Sequence, residues 1–226
     1  MNLLELARAA LAEDQIAALA ATLGESATGT RQGLRDVAVP AVIAGLVRQF
    51  GRDATTGGLL ADLLRDGDYG PLLAELDPAL AGGVMTETLI HRGEGLHGLL
   101  FGGRVDEIAE LLTQATGLRP TSSRKLLGIV VPLVLATLQR STAALDPATG
   151  GDRGAALAAQ LRELVEPLQA EAPAGLATAL GTRDFAPLDL PPPRKPALWP
   201  WLLVPAITLV LFFVLRWVQQ SSMAVP

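Results

Sequence analysis

Two stretches decide the fold: VAVPAVIAGL, residues 37–46, and IVVPLVLATL, residues 129–138. Neither carries a charge. Wound as helices they are apolar all round, and a helix of that kind belongs inside a core or a membrane. Each holds a proline, Pro40 or Pro132. Proline lacks the N–H and clashes with the carbonyl four residues back, so each either kinks its helix or starts a new one. Two copies of one helical unit could bury these helices together.

The surroundings of the two stretches match. Leu19 to Gly24 and Leu112 to Gly117 each read as the end of an amphipathic helix closed by a glycine. A polar stretch follows, with Thr28 and Thr30 in one copy and Thr121, Ser122 and Ser123 in the other, then a leucine, Leu34 or Leu126, then the proline-centred run. A further segment recurs as TTGGLLADLL from Thr55 and TGGDRGAALAAQL from Thr149, each read as a turn through paired glycines into a helix. The sequence thus predicts an internal two-fold repeat with buried central helices. Leu34, Pro40, Val42, Ile43, Leu46, Leu126, Val130, Pro132 and Val134 are the expected core.

Composition agrees with an all-α class. Half of the 226 residues are apolar, yet only 4% are aromatic, and the apolar content is mostly helix-forming Ala and Leu rather than strand-forming types. At the N-terminus Asn2 is placed to cap one short helix, and Asp14 to cap a second that buries Ile16, Leu19, Ala20 and Leu23. The absence of cysteine excludes disulfides, thiol nucleophiles and zinc–thiolate sites. A net charge of −5 opposes nonspecific binding to nucleic acid.

The C-terminal part differs in character. Ala197 to Leu215 is free of charge, and nineteen residues at ~1.5 Å each cover most of a hydrocarbon layer of ~30 Å. Trp199 and Trp201 stand at one edge and Trp217 at the other, as in interfacial aromatic belts; Pro205, Phe212 and Phe213 lie between. A transmembrane helix is therefore expected over residues 197–217, after a helical domain at 1–180 and a proline-rich spacer at 181–196, with a short tail at 218–226. The N-terminal segment lacks the features of a secretory signal, and Arg194 and Lys195 precede the span against Arg216 after it. Together these predict a single-pass protein of the bacterial inner membrane with its helical domain in the cytoplasm.

The stretch LHGLLFGGRVDEIAELLTQATGLRPTSSRKLLGIVVPLVLATL, from Leu96, resembles the YidB-like bacterial family, a domain of unknown function. The resemblance rests on the Leu100-Phe101-Gly102 turn, the helix ending Thr116-Gly117, the pair Leu126-Leu127 and the apolar helix around Pro132. It covers roughly residues 1–165 and is best over 96–140. It implies a multihelical fold around a central buried helix and assigns no chemistry. Some relatives continue past a membrane helix into an OmpA-like peptidoglycan-binding domain, which this sequence, ending at Pro226, does not include.

Candidate chemistry is confined to HRGEGLHG, residues 91–98, which holds both histidines. His91, Glu94 and His97 could ligate a metal or act in acid–base catalysis. Against this, residues six apart point some 120° from one another on a helix, and Gly93, Gly95 and Gly98 weaken a continuous helix. The adopted expectation is a glycine-rich turn leading into a short helix, Leu96 to Phe101, with the histidines capping or facing solvent. Asp66 and Asp68 read as a solvated turn. Asp106, Glu107 and Glu110 read as acidic residues near a helix start. Arg119, Arg124 and Lys125 read as an exposed face that phosphate could also touch. No cofactor is expected.

The functional expectation is a membrane-anchored, non-enzymatic helical scaffold or adaptor that binds an unidentified protein partner or a copy of itself, with the lipid bilayer as its other partner. The alternatives are the cytoplasmic part of an envelope linker or sensor, and a metal-dependent hydrolase using His91, Glu94 and His97.

Overall fold

A computed structural model describes residues 2–142 and 152–187. Within these every regular element is helical. The expected spacer from 188 onward, the membrane span 197–217 with its tryptophans, and the tail lie outside the described residues.

The centre is helix α9, Pro120–Thr142, in which every residue from Leu126 to Leu138 is buried. The charge-free run of 129–138 dictates this, since no face of it is suited to water. α9 is also, among the described residues, the one helix long and apolar enough to cross a membrane. Its surface is instead covered by protein: α1 (Leu3–Arg8), α4 (Val39–Phe50), α7 (Val84–Phe101) and α8 (Val105–Thr116) pack around it. α4 is the second core helix, buried without a break from Val39 to Val47. Leu34, Val42, Ile43, Leu46, Leu126, Val130 and Val134 are fully buried, and Pro40 and Pro132 are buried with them.

The two prolines are accommodated differently. Ahead of Pro40 the chain runs as a short helix α3 (Ala27–Gln32) and then a π-helical segment, Gly33–Ala38, where the Val39 N–H donates to the Leu34 carbonyl five residues back. A widened turn there relieves the clash that Pro40 would impose on a regular α-helix. Pro132 sits inside an α-helix that continues past it. Its missing N–H leaves the Gly128 carbonyl, four residues back, without an intrahelical partner.

Two local signals of the expected repeat can be placed, while its second paired-glycine turn, Gly150-Gly151, lies outside the described residues. Helix α2 (Glu13–Leu23) ends in a left-handed Gly24, φ 66°, and α8 ends in a left-handed Gly117, φ 73°. Each leads into a long buried run with a proline. α5 (Ala54–Gly67) and α10 (Arg153–Arg162) then pack on one another, so closely that a Cβ on Gly57 would stand 2.0 Å from the Gly154 carbonyl oxygen. Gly57 and Gly58 lie inside α5 rather than in a turn before it, because Asp53 caps that helix through the Thr56 N–H at 2.9 Å.

Local expectations at the N-terminus divide. Asn2 caps α1 in a reciprocal box with Glu5, at 2.9 and 3.1 Å. Asp14 is not a cap. α2 starts two residues earlier than that cap implies, at Glu13, and the Gln15 side chain reaches back to accept from the Ala12 N–H at 3.0 Å. Two short helices, α11 (Val165–Glu171) and α12 (Leu176–Ala179), complete the body. Its packing extends to Phe185, which is part of the core. A 3-10 turn, Gly70–Leu73, and helix α6 (Leu76–Leu80) bridge α5 to α7.

Candidate functional site

His91, Glu94 and His97 stand on one continuous helix, not on a turn before a short one. α7 runs unbroken from Val84 to Phe101 through Gly93, Gly95 and Gly98. The cause is tertiary. At Gly93 a Cβ would lie 1.8 Å from the Gly128 carbonyl oxygen, so α7 and α9 touch backbone to backbone and only glycine fits. The contact gains what isolated glycine costs in a helix. It also places a Cα–H against the carbonyl that Pro132 leaves unsatisfied, a weak hydrogen-bond geometry common where helices cross closely.

Helical geometry then separates the three candidates. His91 and Glu94 are exposed. His97, expected to cap or face water, is instead 7% exposed, with its ring 5.7 Å from that of Phe101. Burial lowers its proton affinity, opposed by the charge of Glu94 and a backbone hydrogen bond at Leu127, and its Nε2 has no hydrogen-bond partner. The histidines are thus not brought together. Among the described residues no group of three or more His, Asp or Glu side chains is arranged to hold a metal ion.

The other charged candidates are engaged. Arg119 closes the C-terminal end of α2: its Nη2 donates to the Leu23 carbonyl at 2.6 Å, and its Nε pairs with Glu25 at 2.7 Å. Hydrogen bonds from Arg119, then Ser122, hold the Glu25 carboxyl below the usual carboxylate range. Arg124 meets Asp106 at 2.6 Å and Lys125 meets Glu87 at 3.3 Å, so the basic set that phosphate could touch is already balanced by carboxylates. Asp66 pairs with Arg65, and Asp68 ends α5 in a left-handed conformation, φ 43°. Asp106 and Glu107 occupy the first turn of α8, where the helix dipole favours them.

What the pattern of residues did not reveal is an apolar groove of about 230 Å³ between the 3-10 turn, α6 and the start of α7. Leu72, Ala79 and Leu89 lie along it, and Val84 and Met85 form a rim. Val84 is 84% exposed and Met85 47%. Glu75 and Arg92 give the groove one charge of each sign, and Arg92 is held by its stacking over the Tyr69 ring at 4.6 Å. Two apolar side chains left in water beside an apolar groove are what a docking surface requires. The only sequence signal was Val84 and Met85 directly after the Gly82-Gly83 turn, where φ is 94° and 80°. Exposure of that first helical turn is set by the turn, not by periodicity. A second cleft, about 480 Å³, lies between α1, the 3-10 turn, α6 and the end of α9.

No curated protein and no solved structure matches the chain. Residues 5–141 match a family described as bacterial protein of unknown function, DUF937, with which the YidB-like resemblance is consistent. That match takes in α1 to α9, the two core helices and the groove, and the chain is a member of the DUF937 family of bacterial proteins.

Proposed function

We propose that the chain is a non-enzymatic adaptor, anchored by residues 197–217 in the bacterial inner membrane with its helical domain on the cytoplasmic side, and that it works by seating an amphipathic helix of a partner protein in the Val84–Met85 groove. The observation that carries this reading is the exposure of Val84 and Met85 beside an apolar groove. An amphipathic helix offers the matching pattern, an apolar stripe bordered by charges that meet Glu75 and Arg92. Methionine suits such a role because its flexible thioether adapts to differing partners. The distribution of titratable groups supports a binding role over catalysis. Glu25, Arg48, Asp53, Tyr69 and His97 are all shifted, but they belong to separate parts of the fold and do not converge on one cleft.

The test is site-specific photocrosslinking of the full chain in its native membrane. Crosslinkers at positions 84, 85 and 88 should give one discrete product that a crosslinker at Leu59, an exposed apolar residue of α5, does not give. Met85→Glu should abolish it without lowering the melting temperature. Equal products at all positions, or none at the groove, would overturn the adaptor reading. Recovery of the chain in the soluble fraction with residues 197–217 intact would overturn the anchoring.

A further inference from the structure

We propose that Arg48 and Arg104 form a binding site for a phosphate group at the C-terminal end of the helical domain. Arg48 comes from α4 and Arg104 from the turn before α8, yet both reach the turn at Leu180-Gly181. Arg48 Nη1 donates to the Leu180 carbonyl at 2.9 Å. The Arg104 guanidinium packs close against Gly181: a Cβ there would stand 2.5 Å from its Nε and 2.6 Å from its Cζ. Gly181 is therefore constrained twice, by this contact and by its φ of 70°.

No carboxylate answers either guanidinium among the described residues, whereas Arg35, Arg119 and Arg124 each meet one. Arg48 Nε is buried with no hydrogen-bond partner. Burial, then the neighbouring charge of Arg104, lowers the proton affinity of Arg48, so the two cations destabilise one another as they stand. A doubly acceptor-rich anion placed between them would offset the repulsion and offer acceptors to both guanidinium groups. Phosphate oxygens fit the guanidinium fork in a bidentate manner, which an ammonium cannot reproduce.

Two sources offer this chemistry, soluble phosphate and the headgroup of an anionic phospholipid. The second rests on the anchoring proposed above. Residues 188–196 separate Pro187 from Ala197, where the apolar segment starts, and a chain of that length reaches at most ~35 Å.

The experiment uses the full chain. In detergent, sodium phosphate is compared with sodium chloride at equal ionic strength, and the melting temperature is followed as phosphate is raised. A saturable rise is expected, by mass action on the folded state. Arg104→Gln, which keeps a polar side chain but shortens it and removes its charge and fork, should raise the half-maximal phosphate concentration about tenfold or more. Arg48→Lys should raise it too. In lipid nanodiscs, hydrogen exchange of the 177–186 amides is compared between phosphatidylcholine alone and phosphatidylcholine with phosphatidylglycerol. Slower exchange with phosphatidylglycerol, lost in Arg104→Gln, assigns the lipid. A phosphate response without that protection keeps the site and assigns soluble phosphate. Failure of the chain to enter nanodiscs defeats the anchoring but leaves the phosphate titration to decide the site. The absence of any phosphate response, or a response unchanged in Arg104→Gln, overturns the proposal.

Discussion

The carbonyl oxygen of Gly128 occupies the space that a side chain on Gly93 would need, 1.8 Å from the position of its Cβ. The same helix carries Gly95 and Gly98, around which a Cβ would meet nothing within 4 Å. The three glycines of one stretch are therefore physically unlike. Gly93→Ala should force α7 off α9 and cost about 1–3 kcal/mol or more. Gly95→Ala and Gly98→Ala should each stabilise the domain by up to ~1 kcal/mol through helix propensity. Chemical denaturation of the three variants checks this. Equal effects at all three positions would contradict the close crossing.

His97 gives a pH dependence with a definite sign. Its folded-state value lies below the ordinary 6.5 because burial disfavours the charged ring. As pH falls the unfolded chain takes up the proton first. The stability contributed by the neutral ring is full above about pH 6.5, declines below it, and levels off once the folded value is passed. Glu25 and Asp53 titrate lower, since hydrogen bonds led by Arg119 and by the Thr56 backbone hold them below 4.5 and 3.8. The window between about pH 6.5 and 5 thus isolates the histidine. Melting curves of His97→Leu should lose slope in that window.

The core and the histidines can be weighed directly. Leu46→Asp and Val134→Asp each place an unpaired charge at a fully buried position, costing several kcal/mol against a total stability of roughly 5–15 kcal/mol. Loss of helical circular dichroism is expected. His91→Ala, at an exposed position, should cost under ~1 kcal/mol, and His97→Ala about 1–3 kcal/mol because its ring packs on Phe101. Zinc should leave the melting temperature of the chain unmoved. A zinc-dependent rise that vanishes in the double-alanine variant would restore the metal reading of this stretch.

A fragment comprising residues 1–187 should fold alone and unfold cooperatively, whereas one ending at 176 should be less stable. The difference lies in Phe185, which is buried, and in Leu180, which accepts from Arg48. Circular dichroism melts of the two fragments provide the measurement.

Much of this architecture was legible before any coordinates. Gly24 and Gly117 ended their helices as expected, and the charge-free runs around Pro40 and Pro132 form the core, because local capping and burial on all sides are written in residue types. The continuity of α7 was not legible. A glycine that breaks an isolated helix and a glycine that lets two helices touch are the same letter, and only Gly128, thirty-five residues on, distinguishes them. The groove was hidden for a similar reason. Nothing in the types of Val84 and Met85 says that a neighbouring turn leaves them in water. The Arg48–Arg104 pair depends on a turn at Gly181 far from both in sequence.

The seam between Gly57 and Gly154 has a kinetic consequence. The chain between these two glycines contains α6 to α9, so α5 and α10 can meet only after that intervening stretch has been drawn together, whereas the α7–α9 crossing needs a much shorter loop. Contacts of short sequence separation form early because less chain entropy is lost in making them. The α5–α10 seam is thus expected to close later than the α7–α9 crossing and to open before it. Changes at these two buried glycines should therefore speed unfolding more than they slow refolding, so that the seam bears on the lifetime of the folded protein more than on its rate of formation.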